Sequence, residues 1–261
     1  MISPTDSYAF VNDLRLRYRH CGDTSSRPMV LLHGLASNAR IWDLVAPLLA
    51  RRYRVFALDQ RGHGLSDKPD DGYDFPTIVR DLAAFVDALA LERPALVGHS
   101  WGASVALQYA ASRPAGPGAA SAIVLVDGGA MEMSSLPEMT WEKAEAIMRP
   151  PPLAGITREA FVERVRGFVP DPTLLTPQIV DIILANFEIL PDDTIRPHLA
   201  LDRHMRIARA LYEHKPGELF PRVRCPVLMV PSIPPEPRDE RAEQFLALKR
   251  KGVALAERLL S

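Results

Sequence analysis

The chain has 261 residues, 47% of them hydrophobic and 24% charged, which excludes a disordered or collagen-like class and allows one large domain with a sizeable core. A formal net charge of -1 offers no basic footprint for phosphate backbones or anionic lipid, so neither nucleic acid nor a membrane surface is expected as a partner. Cys21 and Cys225 are far apart and form no C-x-x-C pair, and no basic flank precedes an apolar run at the start, so a cytoplasmic protein with reduced thiols and no metal site is the expectation.

In chain order, residues 8–20 alternate around Asn12-Asp13 with Leu14, Leu16 and Tyr18 on one face, predicting an opening β-hairpin. Apolar runs at 29–32, 53–58 and 95–97 predict strands. Between the last two, Ile78, Leu82, Phe85, Val86 and Leu89 fall at helical spacing behind Pro76. A helix is expected over 101–113, then a fourth strand over 122–126 and, much later, a fifth over 226–230. Continuous apolar strands separated by helices imply a mostly parallel sheet covered by helices on both faces.

The long interval before the fifth run carries its own helices. Thr176-Pro177 opens one in which Ile179, Ile182, Ile183, Phe187 and Leu190 share a face, and Thr157 opens another bearing Phe161, Val165 and Phe168. This predicts a helical cap over 130–215, inserted into a core of 1–129 and 216–261. A last helix is expected from about 239, on the spacing of Phe245, Leu248, Leu255 and Leu259.

Three stretches carry chemistry. Gly98-His99-Ser100-Trp101-Gly102 matches G-x-S-x-G between a predicted strand and a predicted helix, where a sharp turn exposes the Ser100 hydroxyl at a helix N-terminus. The bland alternative is an ordinary strand-to-helix turn. His33-Gly34-Leu35 follows the strand at 29–32, and the amides of Leu35 and Trp101 form the expected pair of oxyanion donors. His33 itself reads as a structural histidine that orders its loop. The turn Asp59-Gln60-Arg61-Gly62-His63-Gly64-Leu65-Ser66-Asp67 lacks a phosphate cradle, and Asp59 and Arg61 are expected to bond each other and the loop amides.

Together, H-G, then D-x-R-G-x-G-x-S, then G-H-S-W-G resemble the α/β-hydrolase superfamily over residues 8–261. The resemblance implies a carboxylesterase-like hydrolase, with Ser100 attacking a small-molecule ester or other acyl carbonyl to form an acyl-enzyme, and with no metal or organic cofactor. A serine points away from the dehalogenase and epoxide hydrolase branches, whose nucleophile is a carboxylate. The implied chain order is nucleophile, acid, histidine. Asp127, at the end of the fourth run, is the best-placed acid, with Glu236 and Asp239 as alternatives, or it only caps its loop through Gly128 and Gly129. No histidine follows His214. His198, His204 and His214 read as solvent-facing residues of the cap or its exit, and His99 points away from Ser100 by alternation. A missing last edge strand, loop histidine and final helix are therefore expected, leaving an exposed sheet edge suited to self-association. The rival reading is a non-catalytic ligand- or partner-binding protein on the same scaffold. Substrate is expected between cap and sheet, against an apolar supply from Met131, Met133, Met139, Trp141, Met148, Phe161, Phe168 and Phe187.

Overall fold

A computed structural model describes residues 3–169, 171–234, 236 and 238–260. The chain opens on the hairpin β1 (Thr5–Val11) and β2 (Leu14–Cys21), joined by Asn12 and Asp13 at φ 50° and 61°. Two left-handed residues make a turn whose twist matches that of the flanking strands, and Asn and Asp tolerate it best after glycine. Next come β3 (Arg27–Leu32), a short α1 (Ala46–Leu49), β4 (Tyr53–Leu58) and α2 (Phe75–Ala88), the last capped by the Asp74 carboxylate accepting from the Thr77 amide. They are followed by β5 (Ala95–His99), α3 (Trp101–Ser112) and β6 (Ala122–Val126).

An inserted segment then carries α4 (Trp141–Met148), α5 (Arg158–Phe168), α6 (Pro177–Leu184), the hairpin β7 (Phe187–Ile189) and β8 (Ile195–Pro197), and α7 (Leu201–Tyr212). The chain returns through α8 (Pro216–Leu219) to β9 (Val227–Val230) and α9 (Glu240–Leu259). α6 is shorter than its periodicity predicts. It stops at Leu184, and Phe187 and Leu190 leave the helical face, because Asp193 at φ 63° and the Asp192 carboxylate, which accepts from the Thr194 amide, build a turn that pairs Phe187 with Pro197. A complete hairpin ladder thus replaces an exposed last helical turn.

Seven strands form one sheet in the order β1-β2-β4-β3-β5-β6-β9. Only β1·β2 and β2·β4 run antiparallel; the pairings from β4 through β9 are parallel. Alternate residues of β3 serve two cores: Val30 and Leu32 pack with Phe56, Phe85, Leu96 and Trp101 on one face, and Met29 and Leu31 with Trp42, Val55 and Val97 on the other. Burial on both faces is why these strands read as unbroken apolar runs. Because β4 lies on one side of β3 and β5 on the other, the strand order reverses there, which brings the loops leaving the carboxyl ends of β3 and β5 side by side. At the far edge, β9 has no outer strand partner among the described residues, and Leu228 and Val230 are exposed. No helix among these residues is long and apolar enough to cross a membrane.

Candidate active site

Ser100 lies at the β5–α3 junction with φ 52° and ψ -115°, a left-handed conformation that costs a residue bearing a Cβ about 1–3 kcal/mol. The surroundings over-determine it. The Ser100 amide donates to the Val126 carbonyl (2.8 Å) and its carbonyl accepts from Ala103 (3.0 Å). A Cβ at Gly98 would lie 2.1 Å from the Gly102 oxygen, and one at Gly102 2.4 Å from the Leu32 oxygen, so helix and strands approach at distances that only glycine permits. The Ser100 hydroxyl makes no hydrogen bond among the described residues.

The loop leaving β3 closes against this turn, a Cβ placed on Gly34 falling 3.3 Å from that of Ser100. Neither expected donor amide, Leu35 nor Trp101, bonds to the protein among the described residues. Trp101 is the first residue of α3, where an amide has no intrahelical acceptor. Two histidines brace the loop. His33 Nε2 accepts from the Gln60 amide (3.1 Å), which places its proton on Nδ1, donating to the Gly34 carbonyl (2.8 Å). His63 Nε2 accepts from the Ala36 amide (3.3 Å), its Nδ1 donates to the Arg61 carbonyl (2.9 Å), and its ring stacks on Trp101 at 5.1 Å. Burial pushes the His33 imidazole down to about 4 and holds His63 well below its ordinary value, so both rings remain neutral. His33 is the structural residue that the motif suggests. The role of His63 escaped the sequence reading; its signal was its place inside Gly62-His63-Gly64.

The expected Asp59–Arg61 pair does not form. Asp59 accepts from the Ala39 amide (2.6 Å), the Leu65 amide (2.9 Å) and Arg17 of β2 (3.1 Å). Arg61 turns instead to Asp81 of α2, at 2.6 and 3.1 Å, because the buried helix carboxylate needs a bidentate partner.

Asp127 lies one strand over from Ser100, at φ 49°, and a Cβ on the following Gly128 would sit 2.3 Å from the Ser100 oxygen. Its Oδ1 accepts from the Ser232 amide (3.1 Å) and from Lys249 Nζ of α9 (2.7 Å). Burial pulls this carboxyl upward, but the bonds from Lys249 and Ser232 outweigh it and hold the group below the usual carboxylate range. Of the alternative acids, Glu236 pairs with Arg238 (3.1 Å) and Asp239 caps α9 through the Ala242 amide (2.7 Å).

No imidazole hydrogen-bonds Ser100 or Asp127 among the described residues. His99 Nδ1 is buried without a partner; burial lowers its basicity and the charge of Asp127 partly restores it. His204 and His214 are buried, not solvent-facing: His204 Nε2 donates to the Met148 carbonyl (2.9 Å) and His214 Nε2 to that of Gly129 (3.1 Å). They lie on the side of α7 and its exit that includes Ile207 and Ala208, so a polar ring there must find a backbone acceptor. Burial pushes His214 down to about 4.

A cavity of about 880 Å³ lies between the inserted segment and the loops leaving β3 and β4. Of the expected apolar supply, Phe161, Phe168 and Phe187 line it. Trp141 packs instead on Tyr212, and Met131 faces a small hollow beside Asp127 and Lys249. Ser100 is not among the lining residues; the cavity reaches its end of the sheet at Ala36, the neighbour of Leu35. No group of three or more His, Cys, Asp or Glu side chains suited to a metal ion occurs among the described residues.

This strand–turn–helix geometry has known counterparts. Residues 27–167 match the family model described as the alpha/beta hydrolase fold. The chain is 39% identical over 106 residues to a soluble epoxide hydrolase of Corynebacterium sp. (strain C12), covering 41% of this chain and 36% of that protein. It is 41% identical over 86 residues to a 2-(acetamidomethylene)succinate hydrolase of Mesorhizobium japonicum, covering 33% and 31%. These matches thus span about a third of the curated relatives' own length. A solved structure of E-2-(acetamidomethylene)succinate hydrolase superposes with a TM-score of 0.71 at 26% identity, over 95% of this chain and 88% of that one. These relatives are hydrolases, and the chain belongs to the α/β-hydrolase fold family.

Proposed function

We propose that the chain is a serine hydrolase of the carboxylesterase type, acting on an ester or other acyl carbonyl, with residues 130–215 as a cap over a core of 1–129 and 216–261. One observation carries the reading: Ser100 is held at φ 52° by glycine contacts too close for any other residue, with its hydroxyl unengaged. A pure binder has no use for that strain. In the proposed reaction Ser100 Oγ attacks the carbonyl carbon, the free amides of Leu35 and Trp101 receive the developing oxyanion, and water later releases the acid from the acyl-enzyme. A serine suits acyl transfer, whereas opening an epoxide, as the name of the Corynebacterium relative describes, calls for a carboxylate at this turn.

With no imidazole bonded to Ser100 among the described residues, its hydroxyl keeps its proton near neutral pH. Oxyanion stabilisation and binding alone then supply about 10³ to 10⁴-fold over water. The chain should accordingly label with a fluorophosphonate at Ser100 and turn over p-nitrophenyl acetate slowly. Ser100→Ala should abolish the labelling while leaving the fold intact, and labelling retained at the parental rate would sink the assignment. The second reading, a ligand-binding protein without turnover, draws on the Asp127 carboxylate being held by Lys249 rather than by an imidazole. It predicts acyl-ligand binding with no serine labelling.

A further inference from the structure

The large cavity has apolar walls, yet its charged lining is of one sign. Arg149, Arg164 and Arg196 line it, and among the described residues no aspartate or glutamate does. Arg149 is paired with Glu145 and Arg196 with Glu188, at the margin of the cavity. Arg164 has no carboxylate partner among the described residues. Arg164 is solvent-exposed, yet Phe161, Arg164, Val165 and Phe168 fall at i, i+3, i+4 and i+7 on α5 and all four line the cavity, which places the guanidinium at its solvent-facing rim. An unpaired guanidinium at the rim of a concave, largely apolar site presents a positive charge to whatever enters. Its planar fork of donors matches a carboxylate or phosphate.

We propose that this cavity selects an amphiphilic anion: an apolar body, aryl or alkyl, that packs against Phe161, Phe168 and Phe187 and ends in a carboxylate or phosphate engaged by Arg164. A volume of about 880 Å³ fits a drug-sized ligand of this kind. The inference rests on the proposed function only for the other end of the molecule, where an acyl carbonyl would extend past Ala36 to Ser100. It deepens that reading from any acyl compound to one with a distal negative charge.

The test measures binding apart from chemistry. Calorimetric titrations of the full chain and of Arg164→Gln and Arg164→Glu would use 4-phenylbutyrate, 4-phenylbutyl phosphate and the neutral 4-phenylbutanamide. At low salt, at least one of the two anions should bind about 5- to 10-fold more tightly than the amide, and that preference should shrink at high salt. Arg164→Gln should weaken that anion about 3- to 5-fold, Arg164→Glu should weaken it further, and the amide should be unchanged in both. Whichever anion shows this pattern identifies the recognised group. Equal binding of amide and anions, an equal loss of all three in the variants, or no binding by any overturns the proposal. Fluorophosphonate labelling of Ser100 in the same preparations reports on the serine chemistry separately: a labelled protein indifferent to charge refutes the anion site alone, and an unlabelled protein with charge-selective binding refutes the hydrolase alone.

Discussion

The ion pair between Asp127 and Lys249 ties the carboxylate beside the Ser100 turn to the last helix, and Lys249→Met should show what that tie contributes. The two side chains are 29% and 16% exposed and 2.7 Å apart, so solvent screens the pair and its coupling should be about 1 kcal/mol at pH 7, near the upper end for partly exposed pairs. The folded-state carboxyl titrates below its ordinary value. The stabilisation it contributes is therefore fully present above the unfolded value of about 3.9 and is lost as pH falls through the lower folded value. Urea denaturation of wild type, Lys249→Met, Asp127→Asn and the double variant gives the coupling as a double-mutant cycle, which removes the Lys249 bonds to Ser232 (2.7 and 3.2 Å) from the comparison. The cycle should read about 1 kcal/mol at pH 7 and shrink as pH falls below about 3.9, vanishing once the folded-state carboxyl is protonated. A coupling absent at pH 7, or undiminished in acid, would refute the claim that Lys249 holds Asp127 ionised.

Other perturbations follow from the same contacts. Gly102→Ala drives a methyl to within 2.4 Å of the Leu32 oxygen and 2.6 Å of the His33 oxygen, which should cost about 1–3 kcal/mol in thermal denaturation and slow Ser100 labelling by displacing the Leu35 loop. An unaltered Tm would show that the turn is not packed as described. His33 and His214, each held near 4 by burial against about 6.5 unfolded, make stability fall as pH drops from about 6.5 to 4, on the order of 3 kcal/mol for each ring by pH 4. His214→Gln should flatten that slope, and a variant curve parallel to wild type would refute the buried neutral state. The open edge of β9, with Leu228 exposed, should support self-association, so Leu228→Lys should lower the sedimentation-derived mass if wild type is dimeric. A monomeric wild type at high concentration would remove that role from the edge.

Much of the core was legible in the residue pattern. Runs buried on both faces announced the parallel strands, and the G-x-S-x-G context located the turn at Ser100, because strand, glycine and helix signals there all act within a few residues. The same locality explains the failures. Periodicity carried α6 on to Phe187 and Leu190, since nothing nearby in the chain reveals that residues 195–197 return to pair with 187–189. Asp59 and Arg61 looked like partners by proximity, yet each is satisfied from a distant element, β2 or α2, that supplies a buried opposite charge. The burial of His204 and His214 is set by how α7 and its exit pack, which no local pattern in the chain reveals.

What the sequence determined by itself is the chain order of the strands in the main sheet, their two-sided burial and the strained serine turn, all set by steric and hydrophobic rules acting over one or two turns of chain. Only the tertiary structure decided that β3 and β5 lie side by side and bring the Gly34 loop against Ser100. It likewise decided that Lys249 takes the carboxylate of Asp127, and that Arg164 faces a cavity without an acid to neutralise it. Those are contacts between segments tens of residues apart, whose geometry depends on how whole layers pack rather than on any local preference.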